Sequence, residues 1–141
     1  IKTTDRTIIV MFIVFILLAF TVSRCDQKPV TKHAPVAEIY PKVALVKFAN
    51  ELYGGDEIQQ SCLNTLWTME SHWNYKAKGS KTRLGQAWGI PQALPGKKMA
   101  KIGADWKTNP LTQIKWGVHY IKTRYGKACY ALKHELNKGW Y

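Results

Sequence analysis

Glu70 is the residue whose type and position best suit acid/base chemistry. It follows Leu66 by four residues and Leu63 by seven, in a segment with helical spacing. It therefore extends the edge of an apolar helix face rather than a solvated one. Burial against apolar groups destabilises a charged carboxyl and raises its pKa, which suits a general acid near neutral pH. The alternative, from position alone, is an ordinary glutamate in a terminal helical turn.

The residues after Glu70 favour a cleft that binds sugars. Side chains suited to this follow it in the chain: Ser71, His72, Trp73, Trp88 and Gln92. Aromatic rings cover the apolar faces of pyranoses, and amides hydrogen-bond hydroxyl and N-acetyl groups. The glycine-rich connection 74–107 is long enough to be functional, and we expect a short hairpin or helical turns within it. Core packing is the alternative use of tryptophan, and at least three of the six are expected in the core.

Other reactive constellations are missing from the sequence. The four histidines lack the HExxH spacing of zinc hydrolases, and the three cysteines form no CxxC pair. The glycine-rich phosphate-binding loop motif is also missing. We therefore expect no metal ion and no cofactor.

Two cysteines, Cys62 and Cys129, lie in the predicted globular part, while Cys25 lies beside a hydrophobic run. If the domain is exported, Cys62 and Cys129 could form a disulfide, because oxidising compartments preserve such bonds. Two buried free thiols are the alternative.

Helical spacing predicts the elements that position these residues. Pro41 suits a first turn, Asp56 can cap the second helix, and Asn109-Pro110 opens a third that Gly126 stops. A last helix runs from about 127 to 137. The three apolar stripes are Leu45, Phe48, Ala49 and Leu52; Ile58, Cys62, Leu66 and Met69; and Leu111, Ile114, Val118, Ile121 and Tyr125. No alternating strand is evident, so the predicted fold class is mainly α.

The N-terminal part, 1–25, is predicted to be a hydrophobic membrane segment. Ile8 to Phe20 is an unbroken run of thirteen apolar residues, and 7–23 reaches the short end of a membrane span. A retained anchor is favoured over a cleaved signal peptide, because Ser23-Arg24-Cys25 fits a cleavage site poorly. Residues 26–40 contain two prolines and no helical periodicity, so they are predicted to be a linker to the domain 41–141.

The charge of the domain favours an anionic partner. From Pro41 onward, 16 Lys or Arg oppose 6 Asp or Glu, out of a net +12 for the whole chain. Acidic polymers of a bacterial cell wall and anionic lipid both fit such a charge. Nucleic acid is not expected as a partner, because no run of five or six basic residues occurs.

The order of these residues resembles the pattern of lytic transglycosylases of the soluble, lysozyme-like type. Glu70-Ser71-x-Trp73-Asn74 and Ala77 resemble E-S-x-F/W-N/D-P-x-A, with Tyr75 where the family usually has proline. Gly89-Ile90-x-Gln92-x-x-Pro95 resembles G-L/I-x-Q-x-x-P, and Asn109-Pro110, Gln113-Ile114, Gly117 and Tyr120-Ile121 resemble the family's late helix. The likeness covers about 44–141. From Gly89 onward it is strongest to lysozyme-like domains of phage tail proteins and of secreted proteins from Gram-positive bacteria, especially actinobacteria.

The resemblance implies a lysozyme-like helical domain with a substrate cleft. It implies cleavage of the β-1,4 bond between N-acetylmuramic acid and N-acetylglucosamine in peptidoglycan, with a 1,6-anhydro product. Glu70 takes the catalytic position, and Ser71 would hold its carboxyl or the substrate. Gln92 takes the place of the glutamine that contacts the N-acetyl region, and Tyr120 that of a cleft tyrosine. His134 and Trp140 are further cleft candidates.

Three competing interpretations concern the reaction and the biological setting. A hydrolytic muramidase needs a second carboxylate, about 5–5.5 Å away for retention or about 6.5–9.5 Å for inversion, and Asp105 is the one to watch. The domain could instead be an inactive wall-binding module or a structural part of a phage virion. We expect a membrane-anchored protein whose domain faces the wall, extracellular or periplasmic. A virion protein would have phage tail components as additional partners.

Overall fold

The computed structural model describes residues 40–54 and 56–141 of the chain, and this part is mainly α, as predicted. The helices described are α1 (Lys42–Tyr53), α2 (Glu57–Ser71), α3 (Pro110–Tyr125) and α4 (Ala128–Lys138). Between α2 and α3 lie the strands β1 (Lys78–Thr82) and β2 (Gly85–Trp88), followed by a 3-10 helix (Gly96–Lys101). The predicted anchor 1–25 and the linker 26–40, apart from Tyr40, lie outside the described residues. No helix of the described part is both long and apolar enough to cross a membrane.

The predicted helix ends agree well with the structure. The Asp56 carboxylate accepts hydrogen bonds from the backbone N–H groups of Ile58 and Gln59, at 3.0 and 3.2 Å, and so caps α2. Asn109 caps α3 through the N–H of Leu111 at 2.9 Å. Pro41 is the exception, because it takes the cap position and precedes the first turn of α1.

The buried face of α2 differs from the predicted stripe. Ile58 and Met69 are 71% and 47% exposed, whereas Leu63 and Trp67 are fully buried beside Leu66. The helix is therefore turned so that the Trp67 indole enters the core. Burying a large aromatic ring removes more apolar surface from water than burying Met69 would.

The core lies where the helices meet. Its main cluster joins α1, α2, α3 and α4 through Leu45, Ala49, Leu63, Leu66, Trp67, Ile114, Val118, Ile121, Ala128 and Ala131. A disulfide between Cys62 of α2 and Cys129 of α4 links two of these helices. Of the two states expected for these cysteines, the disulfide is thus the one found.

The connection between α2 and α3 contains both kinds of predicted structure. Strands β1 and β2 pair in antiparallel register, with Lys78 opposite Trp88 and Thr82 opposite Gly85. The two strands lack alternating apolar residues, and accordingly no residue of either strand is fully buried. A second apolar cluster of Ala93, Met99 and Trp116 fastens the end of this connection to α3.

Candidate active site

Glu70 lies in a cleft of about 620 Å³. The last turn of α2, the hairpin, α3 and the C-terminal residues all contribute to its walls. Side chains that matter for chemistry along these walls are Gln92, Trp116, Tyr120, Trp140 and Tyr141. Of the residues predicted to bind substrate, Gln92, Tyr120 and Trp140 therefore share the cleft with Glu70. Ser71, Trp88 and His134 do not line it.

The Glu70 carboxyl is held in its protonated form near neutral pH. Burial raises its pKa first, and the negative charge of Glu135 and a hydrogen bond with that carboxyl raise it further, to about 8. Two carboxyls in such contact cannot both ionise easily, so the pair retains a proton. Glu70 therefore has the protonation state that a general acid needs.

Glu135 comes from α4 and was not singled out by the sequence analysis. Its Oε2 atom is buried and has no partner among the ordinary hydrogen-bond donors of the described residues, so the proton of the Glu70 carboxyl is the donor available to this carboxylate. The spacing of residues in the sequence could have identified Glu135. Glu135 follows Ala131 by four residues and Ala128 by seven, and both alanines are fully buried. This is the same spacing that Glu70 has from Leu66 and Leu63.

Asp105 was the candidate for the second carboxylate of a hydrolase. In the structure its carboxylate is hydrogen-bonded to side chains at the start of α3. Its Oδ2 accepts from Asn109 Nδ2 at 2.7 Å, and its Oδ1 accepts from Thr112 Oγ1 at 2.8 Å. These two bonds lower the pKa of Asp105, and the residue does not line the cleft. A carboxylate beside the first turn of a helix is stabilised by the unpaired N–H groups there. Asp105 therefore lies outside the cleft that contains Glu70.

Two aromatic rings of α3 form one wall of the cleft. Trp116 and Tyr120 stack with ring centroids 5.0 Å apart and an interplanar angle of 11°. Tyr120 also meets the ring of Tyr141 edge-on, at 5.9 Å. Trp116 was missed by the sequence analysis, although it lies one helical turn before Tyr120 and so had to share its face.

The C-terminal residues form another wall. His134 Nδ1 donates to the backbone carbonyl of Trp140 at 2.7 Å, and the two rings meet edge-on at 4.3 Å. Tyr141 Oη accepts from Trp67 Nε1 at 2.9 Å and donates to the Pro91 carbonyl at 3.0 Å. His134 therefore contacts Trp140 but does not itself line the cleft.

Gln92 is one of the residues that line the cleft. Its Nε2 donates to the Gly89 carbonyl at 2.8 Å, which fixes the amide orientation. A Cβ at Gly79 of β1 would lie 2.5 Å from Oε1 of Gln92, so only glycine admits this close approach. Gln92 also has a positive φ of 46°, an uncommon conformation for a residue with a side chain.

The segment before Gln92 is held by two buried side chains. Ser71 Oγ donates to the Ile90 carbonyl at 2.9 Å, so it supports this loop rather than the Glu70 carboxyl. Gln113 Oε1 accepts from the Ile90 N–H at 2.9 Å. The Nε2 of Gln113 donates to the carbonyls of Tyr75 and Trp106, at 2.9 and 2.8 Å. Gln113, which the sequence analysis assigned no role, thus connects three segments around the site.

The backbone directly after Glu70 is strained. His72 and Trp73 have positive φ values of 53° and 65°. A bulky aromatic residue rarely adopts this region, and such strain persists where the surroundings enforce it. Trp73 is buried, and its Nε1 donates to Asn64 Oδ1 at 3.0 Å. Strain of this kind clusters at functional sites.

Trp88 lies in a separate pocket of about 500 Å³, with Tyr75 and Lys78 among its neighbours. Its ring meets Trp106 edge-on at 5.7 Å.

In the described part of the chain, no group of three His, Cys, Asp or Glu residues is placed to hold a metal ion. Comparisons of the chain with models of known families, with curated proteins and with solved structures find no match.

Proposed function

We propose that residues 41–141 form a lysozyme-like domain that cleaves peptidoglycan as a lytic transglycosylase. The bond cleaved is the β-1,4 bond between N-acetylmuramic acid and N-acetylglucosamine. The observation that carries the proposal is a half-buried glutamate, Glu70, with a pKa of about 8 in a cleft walled by aromatic rings. The order of motifs in the sequence supports the same assignment.

In the proposed reaction, Glu70 acts first as an acid and then as a base. Its proton passes to the glycosidic oxygen as the bond to the anomeric carbon of the muramic acid breaks. The resulting carboxylate then takes the proton of the muramic acid 6-hydroxyl, whose oxygen attacks the anomeric carbon. The product is a 1,6-anhydro sugar, and no water is consumed.

Glu135 supports both steps. Its charge keeps a proton on Glu70 before the first step. Once that proton has left, two ionised carboxylates face each other, and their repulsion makes Glu70 a stronger base. Negative charge nearby also stabilises the positive charge that develops on the sugar ring.

The contact between the two glutamates favours a transglycosylase over a hydrolase. Hydrogen-bonded carboxyls lie closer together than the about 5–5.5 Å of retaining enzymes or the about 6.5–9.5 Å of inverting enzymes. Glu135 is therefore poorly placed as a nucleophile or as the base that activates a water. Asp105, with both oxygens already hydrogen-bonded, does not line the cleft.

The walls of the cleft offer groups that suit an N-acetylated glycan. The stacked rings of Trp116 and Tyr120 and the half-exposed ring of Trp140 can cover the apolar faces of sugars. Because its Nε2 is engaged by Gly89, Gln92 offers Oε1 as an acceptor, which fits an N-acetyl N–H.

The setting proposed is the bacterial cell wall. The positive charge of residues 41–141 suits a wall rich in anionic polymer. Residues 7–23 would anchor the protein in the membrane with its domain facing the wall, in an extracellular or periplasmic space. A virion-associated protein in contact with phage tail components is the alternative setting.

Mass spectrometry of muropeptides released from purified peptidoglycan tests the proposal. The full chain and its Glu70→Gln variant are compared, with circular dichroism to verify that both are folded. Anhydro-muropeptides from the unmodified chain alone are the expected result. Reducing muropeptides would instead identify a hydrolase, and no release by either protein would favour a wall-binding module.

A further inference from the structure

The row of side chains that forms the aromatic wall of the Glu70 cleft ends in an arginine. Trp116, Tyr120 and Arg124 follow one another at intervals of four residues along α3, so their side chains share one face of the helix. Trp116 and Tyr120 line the cleft, and their rings stack. The row therefore continues past this wall to Arg124, about one helical turn beyond Tyr120.

The guanidinium of Arg124 is held by aromatic rings from two separate segments of the chain. Its Cζ lies 5.8 Å from the ring centroid of Tyr120, 5.6 Å from that of Tyr125 and 5.3 Å from that of Trp140. Cation–π attraction to three rings restricts the orientation of the planar group. Because Tyr120 and Trp140 line the cleft, their contacts with Arg124 place its guanidinium at the rim of the cleft.

The positive charge of Arg124 is available to a ligand. Its side chain is exposed, and in the described part of the chain it forms no ion pair with an Asp or Glu. A guanidinium carries five N–H donors in a fork that matches the two oxygens of a carboxylate. An arginine that is oriented by rings and lacks an acidic partner at the rim of a cleft therefore suits an anionic group of the ligand.

The cleft itself contains little negative charge. Among the described residues that line it, Glu70 is the only Asp or Glu, and its pKa of about 8 keeps it protonated near neutral pH. Lys98 of the 3-10 helix also lines the cleft. Glu135 contacts Glu70 but does not line the cleft, and the charges of Lys98 and Arg124 oppose its negative charge. An anionic ligand is thus compatible with this cleft.

We propose that Arg124 binds a carboxylate of the peptidoglycan strand and so gives the cleft a preference for acidic over neutral glycans. The inference rests on the proposed cleavage of peptidoglycan and adds a specificity-determining residue to it. Arg124 donates two parallel hydrogen bonds to the carboxylate oxygens, while Tyr120 and Trp140 hold the guanidinium. The carboxylate has two sources in this substrate, the lactyl group of muramic acid in strands without peptide and the stem peptide in strands that carry one.

Isothermal titration calorimetry with three tetrasaccharide probes tests the proposal. The full chain is used in detergent micelles and carries Glu70→Gln, so that no probe is cleaved. One probe is the neutral tetramer of N-acetylglucosamine. The second alternates N-acetylglucosamine with N-acetylmuramic acid and has free lactyl carboxylates, and the third is the same tetrasaccharide with stem peptides attached. We expect at least one acidic probe to bind more tightly than the neutral probe, and the tighter acidic probe identifies the source of the carboxylate.

Substitution of Arg124 should remove this preference. In Arg124→Gln we expect roughly tenfold weaker binding of the preferred acidic probe, because a bidentate charged pair is lost. The affinity for the neutral tetramer should not change, which would show that the rings of Tyr120 and Trp140 keep their positions. Arg124→Lys retains the charge but not the planar fork, so it should also bind the acidic probe more weakly than the chain with Arg124.

Lys122→Gln is the matched control. Lys122 also lies in the last turn of α3, and its Nζ lies 5.1 Å from the ring centroid of Tyr53, so this variant too loses one charge and one cation–π contact. Lys122 donates to the Leu52 carbonyl of α1, and neither Leu52 nor Tyr53 lines the cleft. The affinities of all three probes should therefore be unchanged.

Several results would overturn the assignment of Arg124 while leaving the proposed function intact, because glycan would still bind. They are equal affinities of the three probes, an acidic preference that survives Arg124→Gln, and the same loss of preference in Lys122→Gln. Full affinity of Arg124→Lys would contradict the bidentate contact. Equal weakening of neutral and acidic probes in Arg124→Gln would show that Arg124 only supports Trp140. If no probe binds at all, the proposed function is contradicted together with the inference.

Discussion

Glu70 and Glu135 meet across the interface between α2 and α4, the two helices that the disulfide joins. Cys62 lies eight residues before Glu70, and Cys129 lies six residues before Glu135. The covalent link therefore lies about two helical turns from the carboxyl pair on each helix. It restricts how far the two carboxyls can separate, and their proximity adds to the effect of burial in raising the pKa of Glu70.

The pH dependence of activity should report this pair. With its pKa at about 8, Glu70 is protonated at neutral pH, and activity should fall as the pH rises through that value. Glu135→Gln removes a nearby negative charge, so the alkaline limb should move to lower pH. Burial remains in the variant and keeps the limb above the pKa of a free glutamate. Initial rates of muropeptide release between pH 5 and 10 measure the alkaline limb of the unmodified chain and that of Glu135→Gln.

Glu51→Gln is the matched control for that experiment. Glu51 is an exposed glutamate of α1, and its ion pair within the described residues is with Lys47, at 3.9 Å. Its removal should leave the profile unchanged. An unchanged profile in Glu135→Gln would show that the two carboxyls do not interact.

Stability should also depend on pH through Glu70. A glutamate binds its proton more tightly in the folded state here, so the folded protein holds one more proton than the unfolded chain between about pH 4.5 and 8. The free energy of unfolding should therefore fall as the pH rises across this range, by roughly 2 kcal/mol once solvent screening of a half-buried group is allowed for. Denaturant unfolding at several pH values measures it. The slope should be smaller in Glu70→Gln, and an equal slope would contradict the raised pKa.

Gln113→Leu should destabilise the protein strongly. The substitution leaves the Ile90 N–H and the carbonyls of Tyr75 and Trp106 without their partner. Each unsatisfied buried group costs about 1–3 kcal/mol, so a loss of roughly 3–5 kcal/mol is expected. Gln86→Leu is the control, because Gln86 donates a single bond, to the Gly79 carbonyl at 3.2 Å, and is only partly buried. Similar losses in the two variants would mean that Gln113 has no special role.

Gly79→Ala should impair activity through Gln92. The new methyl group would lie 2.5 Å from Gln92 Oε1 and 2.9 Å from the Ala87 side chain, so the amide must move. We expect a roughly tenfold loss of kcat/KM, the effect of one lost hydrogen bond to substrate. Gln92→Ala and the double variant complete a cycle. If the double variant loses no more than Gln92→Ala alone, Gly79 acts through Gln92, whereas additive losses would separate the two residues.

Loss of the disulfide should lower the melting temperature. The bond closes a loop between residues 67 positions apart, for which chain entropy predicts about 4 kcal/mol of stabilisation. Cys62→Ser with Cys129→Ser should therefore unfold at lower temperature than the unmodified chain. A reducing agent should lower the melting temperature of the unmodified chain alone. An equal effect on the double variant would assign the loss to something other than this bond.

Much of the described part was determined by local sequence. Asp56 and Asn109 cap their helices because a side-chain oxygen can reach N–H groups two or three residues ahead, without help from the rest of the fold. The position of Glu70 at the edge of an apolar face likewise follows from a spacing of 3.6 residues per turn. The mainly helical class followed from the same periodicity.

Tertiary structure decided which helix faces pack together, and thereby which residues surround Glu70. The spacing of α2 admitted two neighbouring stripes, and only packing of the Trp67 indole against α3 and α4 selected the one that is buried. Glu135 had the spacing of an edge residue, but its contact with Glu70 depends on how α4 lies on α2. Gln113 connects segments up to 38 residues away, and Trp88 faces a different pocket from Glu70. Such contacts join residues distant in the chain, and local spacing carries no information about them.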